Sequence, residues 1–319
     1  MPSEFELIRK YFTRPTKHTR LGVGDDCALV QANSGMELAL STDMLVSGTH
    51  FFPDADPFAL GHKVLAVNLS DLAAMGAKPR WGMLAVATPA ADEAWIEAFS
   101  RGFFSLADKY DVDLIGGDTT RGPLNFCMQI IGEVPIGAAL MRSGAKVSDD
   151  IWVSGELGDA ALALAHLQNR VKLPDSSLSI CLPRLHIPTP RIELGLLLRG
   201  LAASCIDISD GLLADLGHIL DRSSVGAELW LEALPRSAAI HACPEKTLAQ
   251  NCVLAGGDDY ELCFTAPAIH RAAIEALTKA TGIRLSRIGK INPGRGLSVL
   301  DANHQPIEIL AIGFDHFKQ

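Results

Sequence analysis

Six short segments set aspartate against glycine or at the end of an apolar run: Gly24-Asp25-Asp26, Ser41-Thr42-Asp43, Asn68-Leu69-Ser70-Asp71, Gly116-Gly117-Asp118, Asp207-Ile208-Ser209-Asp210 and Gly256-Gly257-Asp258-Asp259. Carboxylates gathered on tight turns repel one another unless a cation lies among them. Oxygen ligands of this kind suit Mg²⁺, which takes one or two carboxylates, keeps waters and draws its remaining oxygens from substrate phosphates. Asp and Gly are also ordinary turn formers, so one such segment says little. Six in one chain point to a metal-dependent phosphate enzyme.

The chain has 319 residues, more than a single core usually holds, so two domains are expected. Its 48% hydrophobic and 20% charged residues describe a globular protein with a substantial interior. The net charge of −9 argues against a nucleic-acid partner, whose footprint would be basic. Anionic substrates remain compatible, because bound divalent cations reverse the local sign. Seven cysteines, an odd count without a CxxC pair, speak against both a zinc site and a disulfide framework. Cys27, Cys127, Cys205 and Cys263 are read as buried small hydrophobes in a reducing cytoplasm. The charged first twelve residues lack a signal-peptide core, and no apolar run reaches membrane-span length.

Strands and helices alternate. Residues 36–42 read as a strand delivering Asp43 at its end, and Asp56-Pro57 as the start of a helix running to about Met75. Residues 81–87 form a strand, 92–109 a helix, and 112–115 a strand ending at Gly116-Gly117-Asp118. Residues 126–134 add a further strand. A polar, glycine-containing stretch, 137–150, then separates two domains divided near residue 145. The pattern restarts with strand 151–154 and helix 160–168, followed by a proline-rich connector from Pro183 to Pro190 and a helix from Arg191. Strand 203–208, helix 211–220, strand 260–265, helix 267–279 and strand 285–291 complete it.

Asp26, Asp43, Asp118, Asp207 and Asp210 each follow an expected strand or glycine turn, and α/β proteins gather ligands beyond the carboxyl ends of strands. Asp71 interrupts a mostly apolar helical stripe of Val64, Val67, Ala74 and Met75, which requires a cation, an Arg partner or a turn to cap. Ser41, Thr42, Thr119, Thr120 and Ser209 add hydroxyls, while Arg121, Arg142 and Lys146 are candidate phosphate clamps. His50 follows Asp43 closely. The chain has no GxxxxGK(S/T), no protein-kinase motif set, no HExxH and no GxSxG.

Read in order, Gly22–Ala28 (GVGDDCA), Ser41–Asp43, Asn68–Ala77 (NLSDLAAMGA), Leu114–Gly122 (LIGGDTTRG), Arg142–Lys146, Asp207–Leu212 (DISDGL) and Gly256–Leu262 (GGDDYEL) resemble the thiamine-monophosphate kinase family. That family lies in the superfamily of aminoimidazole ribonucleotide synthetase and selenophosphate synthetase, and the resemblance runs essentially end to end. It implies an α/β (α+β) synthetase-like kinase fold of two domains. Residues 1–145 would form an ATP- and Mg²⁺-binding domain whose sheet pairs with its copy in a homodimer, and 146–319 a C-terminal α/β domain. It implies ATP-dependent phosphorylation of thiamine monophosphate to thiamine diphosphate with several Mg²⁺ ions. Metal roles fall on Asp26, Ser41, Thr42, Asp43, Asp71, Asp118, Asp207 and Asp210. Gly117, Asp118, Arg142, Ser209 and Tyr110 would contact ATP, and His50, Asp258 and Phe314 the thiamine ester. Position 258 is often Glu in the family and is Asp here. A selenophosphate synthetase should carry a reactive cysteine in an N-terminal glycine-rich segment, whereas the first cysteine here, Cys27, follows the aspartates. Another ATP-using enzyme of the superfamily, or a nucleotide-binding regulator without turnover, stays open.

Overall fold

The computed structural model describes residues 3–314, which divide into two compact units. One comprises residues up to Leu72 together with Ala77–Gly137; the other comprises Ala73–Gly76 and the chain from Ala138 onward. The change of unit at Gly137 falls where the glycine-containing stretch begins.

The first unit contains α1 (Glu4–Leu7), β1 (Thr19–Leu21), β2 (Leu29–Val30), β3 (Met36–Val46), α2 (Pro57–Ala74), β4 (Lys78–Thr88), α3 (Glu93–Tyr110), β5 (Asp113–Arg121) and β6 (Asn125–Pro135). Its four-stranded sheet has the order β3-β6-β4-β5, with only the β4–β5 pair parallel. Asp56 caps α2 by accepting the Ala59 N–H, and Asp92 caps α3 by accepting the Ala94 and Trp95 N–H groups. Trp95 and Phe99 of α3 stack on Phe126 of β6, which fixes that helix against the sheet. Asp113 accepts the backbone N–H groups of Lys17 and His18 and the Thr19 hydroxyl, tying the N-terminal loop to the start of β5.

The edge strand β3 inverts the usual alternation of a half-buried strand. Ser41 and Asp43 face α2, whereas Leu38, Leu40 and Met44 stand on the other side, Leu40 being 68% exposed. Met83 of β4 adds to this uncovered apolar surface. The β3 strand runs on through Asp43 to Val46, rather than ending before it, because β6 pairs with all eleven of its residues. Likewise Gly116-Gly117-Asp118 is no terminal turn; it continues β5 to Arg121 beside β4.

The second unit holds β7 (Asp150–Ser154), α4 (Asp159–Leu167), α5 (Asp175–His186), α6 (Ile192–Leu198), β8 (Ser204–Asp207), α7 (Leu212–Ser223), β9 (Gly226–Trp230), α8 (Ala238–Ala242), α9 (Lys246–Ala255), β10 (Leu262–Ala266), α10 (Arg271–Thr281), β11 (Leu285–Asn292) and β12 (Gly296–Leu300). The sheet order is β12-β9-β11-β7-β10-β8, antiparallel except for β12–β9. Ile151 and Val153 enter a core with Leu162, Leu216 and Val253, while Trp152 and Phe264 stack across the strand pair between them. Pro183, expected in a connector, lies inside α5, in its last turn. Cys205 and Cys263 are buried as expected, but Cys27 is exposed and Cys127 half-buried; all seven thiols are free. Cys27 sits in an open loop and Cys127 on the uncovered sheet face, so neither meets a core.

Candidate active site

In the first unit, α2 presents Asn68 and Asp71, one turn apart, to β3. The Ser41 hydroxyl donates to Asp71 Oδ2 at 2.5 Å, and the Asp43 N–H donates to Asn68 Oδ1 at 3.2 Å. Asn68, buried, is anchored in turn by donating to the Val64 carbonyl. The half-buried Asp71 is therefore held by a strand hydroxyl, which accounts for a carboxylate on an otherwise apolar stripe. Thr42 points the other way: its hydroxyl donates to the Met128 carbonyl at 3.0 Å, on the side of Leu40 and Met44. His50 stands on the turn after β3, and its Nδ1 accepts the Val46 N–H at 3.0 Å. In the neutral ring the proton is then on Nε2.

Sheet register aligns Asp43, Met128, Leu84 and Gly117 in one row, with Asp118 one step on beside Ala85. Gly117 has φ +147, and a Cβ there would lie 1.8 Å from the Leu84 carbonyl oxygen. Its glycine is a requirement of strand packing, whatever else its backbone does. Asp118 is exposed on the edge strand β5, and Asp26 is exposed in the loop after Gly24. Tyr110 closes α3, with the Lys109 ammonium 5.0 Å from its ring centre. Among the described residues, no three His, Cys, Asp or Glu side chains stand close enough together to hold a metal by themselves.

The second unit gathers its expected site residues more tightly. Asp207 ends β8, and the loop that follows is a hub for two further segments, 258–260 and the chain at Phe314. The Ile208 carbonyl accepts the Tyr260 N–H, the Ser209 carbonyl the Asp258 N–H, and the Asp210 carbonyl the Phe314 N–H, at 2.8, 2.9 and 3.0 Å. Asp207, Ser209, Asp210, Asp258 and Phe314, distant in sequence, thus share one backbone framework. A Cβ on Gly257 would lie 2.4 Å from the Ser209 carbonyl oxygen, so glycine permits the approach that brings Asp258 in. Asp258 and Tyr260 both have positive φ, 67 and 50, and the Tyr260 hydroxyl donates to Asp258 Oδ1 at 2.8 Å. Tyr260 thereby joins the candidate site, a role that motif reading did not assign.

Asp215 joins it too. From the first turn of α7 its Oδ2 accepts the N–H groups of Ser209, Asp210 and Gly211 at 3.0, 3.1 and 3.1 Å. Burial pushes its carboxyl up to about 7, Asp210 adds repulsion, and the three N–H bonds pull the other way. Its signal was available in the sequence. Asp215 interrupts the stripe of Leu212, Leu216 and Ile219, as Asp71 interrupts its own. At the far end of α7, the Ser223 hydroxyl accepts the Gly144 and Ala145 N–H groups and so seats the turn that carries the exposed Arg142. Beneath the Asp258 segment, buried Asp259 accepts the Gly158 N–H, and Glu261 is gripped by Ser154, Arg184 and Arg191.

Residues 24–134 match the family model for the AIR synthase related protein, N-terminal domain. The thiamine-monophosphate kinase of Escherichia coli (strain K12) is 48% identical over 319 residues, covering 98% of each chain. The crystal structure of the thiamine-monophosphate kinase from Stenotrophomonas maltophilia K279a superposes with a TM-score of 0.85 at 47% identity, covering 95% of this chain and 96% of that one. A structure of AaThiL complexed with AMPPCP and TMP gives a TM-score of 0.79 at 29% identity, covering 98% of this chain and 96% of that one.

Proposed function

Because the chain belongs to the thiamine-monophosphate kinase family, we propose that it uses ATP to phosphorylate thiamine monophosphate to thiamine diphosphate. The observation that carries the reading is the hub loop 208–210, which ties the metal and nucleotide candidates Asp207, Ser209 and Asp210 to the acceptor candidates Asp258 and Phe314.

The acceptor is a phosphate monoester, already anionic near neutral pH, so the site needs no general base to make a nucleophile. The obstacle is charge: at about 4 Å, two unit charges repel by roughly 4 kcal/mol at an effective dielectric near 20. Mg²⁺ bound to phosphate oxygens would remove that repulsion and stabilise the charge on the transferring group. The donor chemistry fits such a hard ion, since Ser41 Oγ and Asp71 Oδ2 bring two oxygens within 2.5 Å on the side of the sheet that Asp43 faces. A cation completed by phosphates and waters needs only one or two carboxylates, so a preformed cage is not required. We assign cation roles to Asp26, Ser41, Asp43, Asp71 and Asp118 in the first unit and to Asp207 and Asp210 in the second. The Thr42 hydroxyl, engaged with Met128, serves the sheet instead.

Arg142 and Ser209 would hold ATP, and Phe314, exposed beside the hub, offers a ring face to thiamine. The Tyr260 bond aims the shorter Asp258 side chain, which fixes the carboxylate where the family often has Glu. His50 would donate to the acceptor through Nε2. Transfer is direct and in line, by positioning and charge neutralisation. The uncovered apolar face of β3 and β4 supports pairing with a second copy as a homodimer, and the free thiols suit a cytoplasmic setting.

Purified protein given ATP, Mg²⁺ and thiamine monophosphate should form thiamine diphosphate. Isolation of a phosphorylated protein that goes on to product would overturn direct transfer.

A further inference from the structure

A helix N-terminus preceded by a glycine loop is the usual place for a phosphate, because its backbone N–H groups point outward with the positive end of the helix dipole. The twelve-residue α7 with Ser209-Asp210-Gly211 before it has that appearance. The N–H groups of the loop itself, however, are already taken: those of Ser209, Asp210 and Gly211 converge on Asp215 Oδ2. Its acceptors are taken too, since the Ile208, Ser209 and Asp210 carbonyls receive Tyr260, Asp258 and Phe314. With the backbone committed on both sides, the loop meets a ligand through the side chains of Asp207, Ser209 and Asp210. Those side chains are two carboxylates and a hydroxyl, with a third carboxylate, buried Asp215, behind them.

We infer that Asp215 is a positioning residue that turns the loop before this helix from a place for an anion into one for a cation. Its carboxylate occupies the place a phosphate oxygen would take and sets the loop so that Asp207 and Asp210 present their oxygens to a divalent ion. The inference rests on the cation roles proposed above for those two residues, but its test does not depend on turnover.

Mn²⁺ binding to the full-length protein, followed by electron paramagnetic resonance without nucleotide, is compared between wild type and Asp215→Asn, with melting temperature as the check on folding. Asn keeps an acceptor oxygen and loses the charge that strengthens the three bonds, so Mn²⁺ affinity should fall by about tenfold. In Asp215→Ala the three N–H groups lose their acceptor. Added acetate should restore part of that variant's Mn²⁺ affinity and leave wild type unchanged, which a purely structural role would not produce. Equal Mn²⁺ affinity in wild type and folded Asp215→Asn overturns the inference. If Asp215→Ala does not fold, the Asn comparison decides alone. A wild type that binds Mn²⁺ but makes no thiamine diphosphate defeats the kinase reading while leaving the role of Asp215 decided by the same titration.

Discussion

The two units hold their acidic residues in different ways. In the first, the candidate oxygens lie on a sheet and a helix face and are restrained by single side-chain bonds, such as Ser41 to Asp71, or stand exposed, as Asp26 and Asp118 do. In the second, the carboxylates belong to a loop whose backbone donors and acceptors are all engaged, above buried Asp215, Asp259 and Glu261. The second half is preorganised by the fold, whereas the first holds its oxygens by single bonds or leaves them exposed. Charge repulsion explains why: carboxylates cannot be packed close in a resting protein unless N–H groups or guanidinium groups pay for it, as Gly158, Arg184 and Arg191 do in the second unit.

That contrast can be broken by substitution. The largest effect is expected for Asp71→Asn, which keeps the partner of Ser41 but removes a charge proposed to bind the cation. Turnover should drop by at least about a hundredfold with an unchanged circular dichroism spectrum, in keeping with the several kcal/mol a catalytic metal supplies. Near-wild-type turnover in the folded variant would remove Asp71 from the site. In the second unit, Gly257→Ala forces a methyl to 2.4 Å from the Ser209 carbonyl oxygen, so stability should fall by about 2–3 kcal/mol, measured by urea unfolding. An unperturbed midpoint would mean the hub is looser than described. Tyr260→Phe deletes one hydrogen bond to Asp258 and should raise KM for thiamine monophosphate by about fivefold while changing kcat less.

The smallest effect is a pH dependence. Burial raises the Asp159 carboxyl above its ordinary 3.8, so it takes up a proton on folding. Its contribution to stability is fully present below 3.8 and is lost as pH rises through the folded value. Asp159→Asn should therefore gain melting temperature relative to wild type as pH is raised from about 4 towards neutrality. Asp111 runs the opposite way in the first unit. Hydrogen bonds from Lys17 and then His18 lower it to about 2, and its small exposed contribution is lost only as pH falls through that value.

The alternation of strands and helices was legible from the apolar runs, and so was the capped start of α2 at Asp56; Asp92, read as the first residue of its helix, caps it instead. The lengths of β3 and β5 were not. Polar Ser-Thr-Asp and Gly-Gly-Asp runs read as strand ends, but β6 and β4 supply ladder partners that continue through them. The face of β3 was equally hidden, since alternation gives the period and not which side is covered. Strand β9 and helix α9 escaped because Gly226-Ala227-Glu228 and the Thr, Gln and Asn of α9 carry little periodicity. In the site, the aspartates announced themselves by repetition. Asp215 interrupts an apolar stripe as Asp71 does, but its role of holding other residues, like that of Tyr260, emerges only from the distances.

The central claim, that these oxygens serve cation-dependent phosphoryl transfer between ATP and thiamine monophosphate, is met most directly by following ADP and thiamine diphosphate together by chromatography. Protein treated with EDTA should form neither product until Mg²⁺ is restored, and then one thiamine diphosphate for each ADP. Product formed at the full rate in EDTA, or ADP released without thiamine diphosphate, would contradict it.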